Sequence, residues 1–127
     1  MFKTTKKRIL VVDDEQAIGD ITCEFLKEAG FDAAFVTNPV DASHKMEEKP
    51  FDAVLLDIYL EQEDGLLFLG KLKKNYPSVP VIMLTGAGYD EDMMETALKE
   101  GASGYVSKDT DLDNIVVAIQ RVLRQSS

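Results

Sequence analysis

Strand and helix patterns alternate five times along this chain of 127 residues. Short runs rich in aliphatic and β-branched residues predict strands at 8–13, 31–36, 51–56, 79–84 and 103–106. Elsewhere apolar residues recur at three- and four-residue spacing, as at Leu66, Leu69 and Leu72, which is typical of helices with one buried face. Because parallel strands require crossover connections, this order predicts a single α/β domain, in which helices cover both faces of a parallel sheet.

Several of the predicted helices have recognisable ends. Gly30 follows the first helix, at a position where a left-handed residue is needed. Asn38 provides an N-cap and Pro39 a first-turn proline for the second helix, which is predicted to reach about residue 49. The remaining helices are predicted to end near residue 76, to cover 90–100 and to run from 111 to about 124.

Polar residues with complementary chemistry lie at the end of four of the predicted strands or directly after it. They are Asp13 and Asp14, Asp57, Thr85, and Ser107 with Lys108. The carboxyl ends of parallel strands share one edge, where such sheets bind ligands, so we expect these groups to meet there. The set suits holding a divalent cation and a phosphoryl group against a carboxylate. Taken singly, each residue is better interpreted as a turn or capping residue; only their convergence at one edge favours a functional site.

The charge balance limits the classes of molecule that the chain is expected to bind. The chain has 14 Lys and Arg against 23 Asp and Glu, a formal net charge of −9, which disfavours nucleic-acid binding because phosphate contacts dominate that affinity. The apolar runs are too short to span a membrane, and no apolar segment with a cleavage site follows the basic N-terminus. Cys23 is the single cysteine, which excludes an intramolecular disulfide and a cysteine metal site. We therefore expect a cytoplasmic protein.

Five motifs in order resemble the receiver domain of two-component response regulators over essentially the whole chain. They are ILVVDDE at 9–15, VLLD at 54–57, DG at 64–65, LTGA at 84–87 and GASGYVSK at 101–108. Each motif is weak evidence alone, but their order and spacing are specific. The resemblance implies one receiver domain at 1–127, with a core at about 8–124. It also implies a flavodoxin-like, doubly wound (βα)5 sheet of strand order 2-1-3-4-5, an order that periodicity does not provide.

The resemblance further implies roles for individual residues. Asp57 would be the phosphoacceptor, a carboxylate nucleophile that attacks the phosphorus of a phosphohistidine to give an acyl phosphate. Lys108 would place a positive charge on the phosphoryl oxygens. Thr85 would donate its hydroxyl to the attached group, and Thr85 and Tyr105 together would form a switch.

Magnesium is the cofactor that the resemblance implies, with Mn²⁺ as a possible replacement. The ligands would be Asp13, Asp14, Asp57 and the backbone carbonyl of Tyr59. A few carboxylates combined with phosphate oxygens and water form a ligand set that Mg²⁺ favours. The cation would offset the repulsion between an anionic nucleophile and an anionic phosphoryl donor.

The implied partners act before and after the phosphorylation step. A sensor histidine kinase or a histidine phosphotransfer protein would donate the phosphoryl group. An output domain or protein would contact the surface of helix 4, strand 5 and helix 5, at 90–100, Tyr105 and 111–123, and phosphorylation could produce a homodimer. The domain would bind neither nucleic acid nor a membrane directly. It would assist its own phosphorylation and dephosphorylation but would not be an enzyme with a separate substrate.

Four positions depart from the common family pattern. Glu61 stands where many receivers have proline, which makes the loop after strand 3 more acidic. Asp109 replaces the proline that usually follows the lysine, so we expect there either a trans bond or an unusually well-supported cis bond. Gly86 adds backbone freedom beside the site. Tyr59 is bulky, and we expect it to restrict the approach of water and to slow the loss of the phosphoryl group.

Three other functions use related residues. A magnesium-dependent phosphatase of the haloacid dehalogenase type needs a second carboxylate two residues after its nucleophile, where Tyr59 stands here. A flavin mononucleotide binder needs a first loop rich in hydroxyl groups and glycine, whereas the acidic loop at 13–15 would repel phosphate without a metal. A degenerate receiver that serves only as a binding module is disfavoured, because none of the phosphorylation residues is missing.

Overall fold

The computed structural model of the chain describes residues 6–60, 64–86 and 91–126. Within them, strands alternate with helices in the order β1 (Arg8–Val12), α1 (Gln16–Glu28), β2 (Asp32–Val36), α2 (Pro39–Glu48), β3 (Ala53–Asp57), α3 (Gly65–Asn75), β4 (Val81–Thr85), α4 (Glu91–Lys99), β5 (Gly104–Ser107) and α5 (Leu112–Ser126). The strands form one parallel sheet in the order β2-β1-β3-β4-β5. The flavodoxin-like α/β fold and its predicted strand order are therefore confirmed.

Alternate residues of each central strand face two separate cores. In β1, Ile9 and Val11 pack with residues of α1 and α5, whereas Leu10 and Val12 pack with residues of α2, α3 and α4. All four side chains are at most 1% exposed, and each buried aliphatic side chain stabilises the fold by about 1.5–3 kcal/mol. Burial on both faces explains why the strands have continuous apolar runs instead of alternating apolar and polar residues.

Three strands extend beyond their last apolar residue, which differs from the prediction. β3, β4 and β5 end at Asp57, Thr85 and Ser107, because these polar residues continue the pairing of the sheet. Asp57 lies opposite Leu84, and Thr85 lies opposite Ser107. The polar groups are therefore held by the sheet itself and not by the loops that follow it.

Where a helix limit was predicted within the described residues, the structure agrees with it to within two residues. Gly30 follows α1 with φ of +100°, as the sequence predicts, and the Asn38 side chain caps α2 by accepting from the N–H of Asp41 at 2.9 Å. In the described part of the chain, no helix combines the length and the apolar character that a membrane crossing requires.

Gly65 begins α3 directly beside the end of β3. Its N–H donates to the carbonyl of Ile58 at 3.1 Å, and the Asp64 side chain caps the helix by accepting from the N–H of Leu66 at 2.8 Å. A Cβ at position 65 would overlap the carbonyl oxygen of Asp57 and the backbone of Ile58. The missing side chain therefore allows α3 to approach the strand end that carries Asp57.

Arg8 makes several contacts at the amino edge of the sheet, where the strands begin. Its N–H donates to Asp52 Oδ2 at 2.7 Å, and its guanidinium donates to the carbonyl of Pro50. The guanidinium carbon also lies 4.1 Å from the centroid of the Phe51 ring, and Nε lies 3.8 Å from Asp32 Oδ2. One side chain thus connects β1 to β2 and to the segment that leads into β3.

Candidate functional site

The polar residues predicted at the strand ends meet at the carboxyl edge of the sheet. Asp13 follows β1, and its N–H donates to the carbonyl of Val36 at 3.2 Å. Asp57 and Thr85 are the last residues of β3 and β4, and they are 3% and 5% exposed. Lys108 follows β5, and its N–H donates to the carbonyl of Thr85 at 2.7 Å. Backbone pairing therefore determines the position of each of these residues.

The ammonium group of Lys108 faces three carboxylates. Its Nζ lies 2.8 Å from Asp13 Oδ2, 2.8 Å from Asp57 Oδ2 and 3.2 Å from Glu15 Oε1. The side chain of Lys108 is 11% exposed, so its contacts with Asp13 and Asp57 are largely shielded from water, whereas the Glu15 side chain is 57% exposed. The sequence placed Lys108 beside Asp57, but it gave no role to Glu15.

Backbone N–H groups orient the two buried carboxylates. The N–H of Tyr59 donates to Asp57 Oδ1 at 3.0 Å, and the N–H of Glu15 donates to Asp13 Oδ1 at 2.9 Å. Each carboxylate therefore has one oxygen bound to the backbone and the other directed at Lys108. The arrangement fixes the carboxylates before any ligand arrives.

The acidic side chains form a donor set that fits a divalent cation. Asp13, Asp14, Glu15 and Asp57 each offer one oxygen, and these oxygens lie within 4.8 Å of one another. Among the described residues, the buried Asp13 Oδ2 has no hydrogen-bond partner, since its contact with Lys108 lacks hydrogen-bond angles. A buried carboxylate oxygen with unused acceptor capacity is suited to coordinate a cation, and clustered carboxylates suit Mg²⁺ or Mn²⁺. Glu15 joins the three acidic side chains that the sequence indicated.

The site carries more negative charge than Lys108 balances. Burial raises the pKa of Asp57 from 3.8 to about 6, against hydrogen bonds from Lys108 and from the Tyr59 N–H that lower it, and the Asp13 carboxylate adds to the rise. Burial alone would lower the pKa of Lys108, but its contacts with Asp13 and Asp57 raise it above the ordinary value. Lys108 therefore stays charged at neutral pH, and the carboxylates favour the binding of a proton or a further cation.

The two residues expected to form a switch occupy neighbouring strands. Thr85 Oγ1 donates to the carbonyl of Val106 at 3.5 Å, which is long for a hydroxyl hydrogen bond. Tyr105 on β5 is 43% exposed. In this structure a weak bond therefore holds the Thr85 hydroxyl on β5, while the Tyr105 ring lies at the surface.

Tyr59 links the edge of the site to α4, a contact that the sequence did not indicate. Its side chain is 55% exposed, and its hydroxyl donates to Met93 Sδ at 3.1 Å. Met93 packs against the core that contains Phe68 and Leu69. The bulky residue beside Asp57 is thus held by a helix that follows a different strand.

Two of the positions that depart from the common receiver pattern are Asp109 and Glu61. The sequence left the Lys108–Asp109 bond open between a trans form and a well-supported cis form. The bond is trans, since the described residues contain no cis peptide bond. Glu61 lies among residues 61–63, which are outside the described part of the chain, as is the segment 87–90 with the predicted start of helix 4.

Fold and site together define a flavodoxin-like α/β domain with an acidic cluster and a lysine at its carboxyl edge. The family model of the response regulator receiver domain matches residues 9–120, and the chain belongs to this family. It is therefore a signalling domain of the two-component type.

Individual relatives agree with this assignment. A putative NtrX-like response regulator of Rickettsia bellii is 39% identical over 115 residues, which cover 89% of this chain and 24% of that relative. Among solved structures, NtrX from Brucella abortus superposes with a TM-score of 0.91 at 30% identity, covering 96% of this chain and 28% of that one. A CheY-like receiver domain protein from Methanospirillum hungatei gives 0.89 at 30% identity, covering 96% and 97%. The chain spans about a quarter of the length of the NtrX-like relatives.

Proposed function

We propose that the chain accepts a phosphoryl group on Asp57 from a phosphohistidine of a sensor kinase or a histidine phosphotransfer protein. The observation that carries this function is the environment of Asp57. Asp57 is 3% exposed, one oxygen of its carboxylate accepts from the Tyr59 N–H at 3.0 Å, and the other lies 2.8 Å from Lys108 Nζ. A buried carboxylate in fixed orientation beside a positive charge is suited to attack an anionic phosphoryl donor.

The transfer exchanges one bond for another. An oxygen of Asp57 forms a bond to phosphorus while the P–N bond to the donor imidazole breaks, and the imidazole nitrogen keeps the electron pair and takes a proton from solvent. Asp57 is ionised at neutral pH because its raised pKa is still only about 6. Lys108 contributes positive charge where the phosphoryl oxygens gather negative charge.

A divalent cation would complete the site. Asp13, Asp14, Asp57 and the backbone carbonyl of Tyr59 would hold Mg²⁺ or Mn²⁺, and Glu15 lies in the same acidic cluster. When bound, the cation neutralises part of the repulsion between Asp57 and the phosphoryl group. The Glu15 N–H keeps the Asp13 carboxylate in position through its bond to Oδ1.

Thr85 and Tyr105 would convert phosphorylation into a change of surface. The Thr85 hydroxyl leaves the carbonyl of Val106 and donates to the phosphoryl group, at small cost because its present bond is 3.5 Å long. Tyr105 then rotates into the vacated space. The surface of α4, β5 and α5 changes as a result, and an output domain, an output protein or a second copy of the chain would bind there.

The product of the reaction is the phosphorylated protein itself. A phosphatase of the haloacid dehalogenase type would need a carboxylate two residues after Asp57. Tyr59 occupies that position, and its hydroxyl is bound to Met93. No acid/base group is supplied there for repeated turnover.

Intact-mass measurement tests the phosphoacceptor. Wild type incubated with acetyl phosphate and Mg²⁺ should gain a single phosphoryl adduct, which Asp57→Ala should lack and EDTA should suppress. Asp113→Ala, which removes an exposed carboxylate from the first turn of α5, should gain the adduct like wild type. No adduct on wild type, or an equal adduct on Asp57→Ala, would contradict the assignment.

A further inference from the structure

Two hydrogen bonds of Tyr59 to other described residues lead to different parts of the molecule. Its N–H donates to Asp57 Oδ1 at 3.0 Å, and its hydroxyl donates to Met93 Sδ at 3.1 Å. Met93 lies in the first turn of α4 (Glu91–Lys99), which follows β4 and not β3. A single residue therefore connects the carboxylate of β3 with a helix that follows the neighbouring strand.

The two ends of the side-chain bond differ in how firmly they are held. The Tyr59 side chain is 55% exposed, and an exposed aromatic side chain loses rotamer freedom when it is held in one position. Met93 is partly buried and packs against the core beneath α3 and α4. The sulfur on the packed helix thus gives the Tyr59 ring a preferred position, since a thioether is a weak but usable acceptor.

We propose that Met93 is a positioning residue that holds Tyr59 beside the Asp57 pocket, and that their hydrogen bond couples the state of Asp57 to α4. A change at Asp57 Oδ1 alters the acceptor of the Tyr59 N–H. The displacement of the Tyr59 backbone then reaches Met93 through the hydroxyl. Coupling of this kind is reciprocal, so a change at Met93 also alters the surroundings of Asp57. A role of this coupling in signalling rests on the proposed function, whereas the contact between Tyr59 and Met93 is present without phosphorylation.

Methyl NMR tests the contact without any phosphodonor. The full chain is labelled with [methyl-¹³C]methionine, and the Met93 resonance is identified by its loss in Met93→Leu. Asp57→Asn should shift the Met93 methyl signal. When Asp57→Asn is combined with Tyr59→Phe, which keeps the ring but removes the hydroxyl, most of that shift should be absent. The adjacent Met94, which is 3% exposed in the core, serves as the internal control and should not move. The coupling would be overturned if Asp57→Asn left the Met93 methyl signal unchanged. It would also be overturned if the shift were equally large when Tyr59→Phe removes the hydroxyl.

The lifetime of the phosphorylated state tests the positioning role. Tyr59→Phe and Met93→Leu should each shorten the half-life of the phosphoryl adduct by about two- to fivefold, since each removes the same hydrogen bond. The double variant should decay no faster than either single variant, because both changes break one contact. Met93→Gln should restore a long half-life, because its amide oxygen can accept from the Tyr59 hydroxyl.

The outcomes separate this inference from the function on which it builds. Additive effects of the two single variants, or a normal half-life in Met93→Leu, would overturn the positioning role of Met93. If wild type carries no adduct, the proposed function fails, and the NMR comparison still decides whether Tyr59 couples Asp57 to Met93.

Discussion

Lys108 Nζ and Asp13 Oδ2 lie 2.8 Å apart at the carboxyl edge of the sheet, in an ion pair that lacks hydrogen-bond angles. The same ammonium group contacts Asp57 and Glu15. A single positive charge therefore faces three carboxylates, of which Asp13 and Asp57 are almost fully buried. This imbalance determines how the domain should respond to changes in charge.

Lys108→Gln should destabilise the protein when no divalent cation is present. Removing one partner of a buried ion pair leaves uncompensated charge, so the free energy of unfolding should fall by about 3–5 kcal/mol. Urea denaturation in EDTA measures the change, and Mg²⁺ should stabilise the variant more than wild type, because the cation then meets no competing ammonium group. Lys99→Gln on the exposed side of α4 should change stability little. A loss below about 1 kcal/mol for Lys108→Gln would argue that the carboxylates do not depend on this charge.

Asp57→Asn should alter the pH dependence of stability in EDTA. The pKa of Asp57 rises from 3.8 to about 6 on folding, so the folded state binds the proton more tightly than the unfolded state. The associated stability is fully present below the unfolded pKa and is lost as pH rises through about 6. Relative to Asp57→Asn, wild type should therefore lose up to about 3 kcal/mol between about pH 4 and pH 7.

Urea denaturation at several pH values measures this difference. Asp113→Asn, at an exposed position of α5, is the matched control for the loss of one carboxylate. A curve for Asp57→Asn that runs parallel to wild type would show that folding leaves the proton affinity of Asp57 unchanged.

Gly65→Ala and Gly70→Ala should have opposite effects although both lie in α3. A Cβ at position 65 would overlap the backbone of Asp57 and Ile58, so the free energy of unfolding should fall by about 3 kcal/mol. A Cβ at position 70 meets only Glu100 Oε2 at 3.7 Å, and alanine is the better helix former by about 1 kcal/mol. Thermal or urea denaturation measures both variants. Equal destabilisation would mean that α3 does not depend on close approach at position 65.

Thr85→Val should separate folding from signalling. The hydroxyl bond to Val106 is weak at 3.5 Å, so the free energy of unfolding should change by less than about 1 kcal/mol. Phosphorylation of wild type should shift the Tyr105 ring signals in NMR spectra. Phosphorylated Thr85→Val should lack this shift, and Thr85→Ser, which keeps a hydroxyl, should retain it. Identical Tyr105 shifts in Thr85→Val and wild type would show that the threonine does not report the phosphoryl group.

The sequence was most informative where backbone geometry determines the result. Apolar runs predict the strands, and parallel strands bring their carboxyl ends together, so the meeting of Asp13, Asp57, Thr85 and Lys108 could be expected. The ends of β3, β4 and β5 were predicted too early, because polar residues continue the sheet there. Strand order was available only from the resemblance to receiver domains, since periodicity does not specify which strands are neighbours.

The contacts that were not predicted depend on side-chain conformation. Glu15 reaches Lys108 across 93 positions of the chain, and Tyr59 reaches Met93 across 34. Each contact requires a particular rotamer and a particular placement of a helix against the sheet. Hydrophobic patterns indicate which face of a helix is buried, but they do not indicate which residues an exposed side chain contacts.

The two edges of the sheet differ in what a ligand at Asp57 can disturb. Where the strands begin, Arg8 holds Asp32, Asp52 and the Phe51 ring by contacts remote from the site. Where they end, the Thr85 hydroxyl makes a long bond to the carbonyl of Val106, and the Tyr59 hydroxyl donates to a sulfur acceptor. If a phosphoryl group binds at Asp57 as proposed, the side-chain contacts nearest to it lead sideways to α4 and β5, whereas the contacts of Arg8 lie at the far ends of the strands.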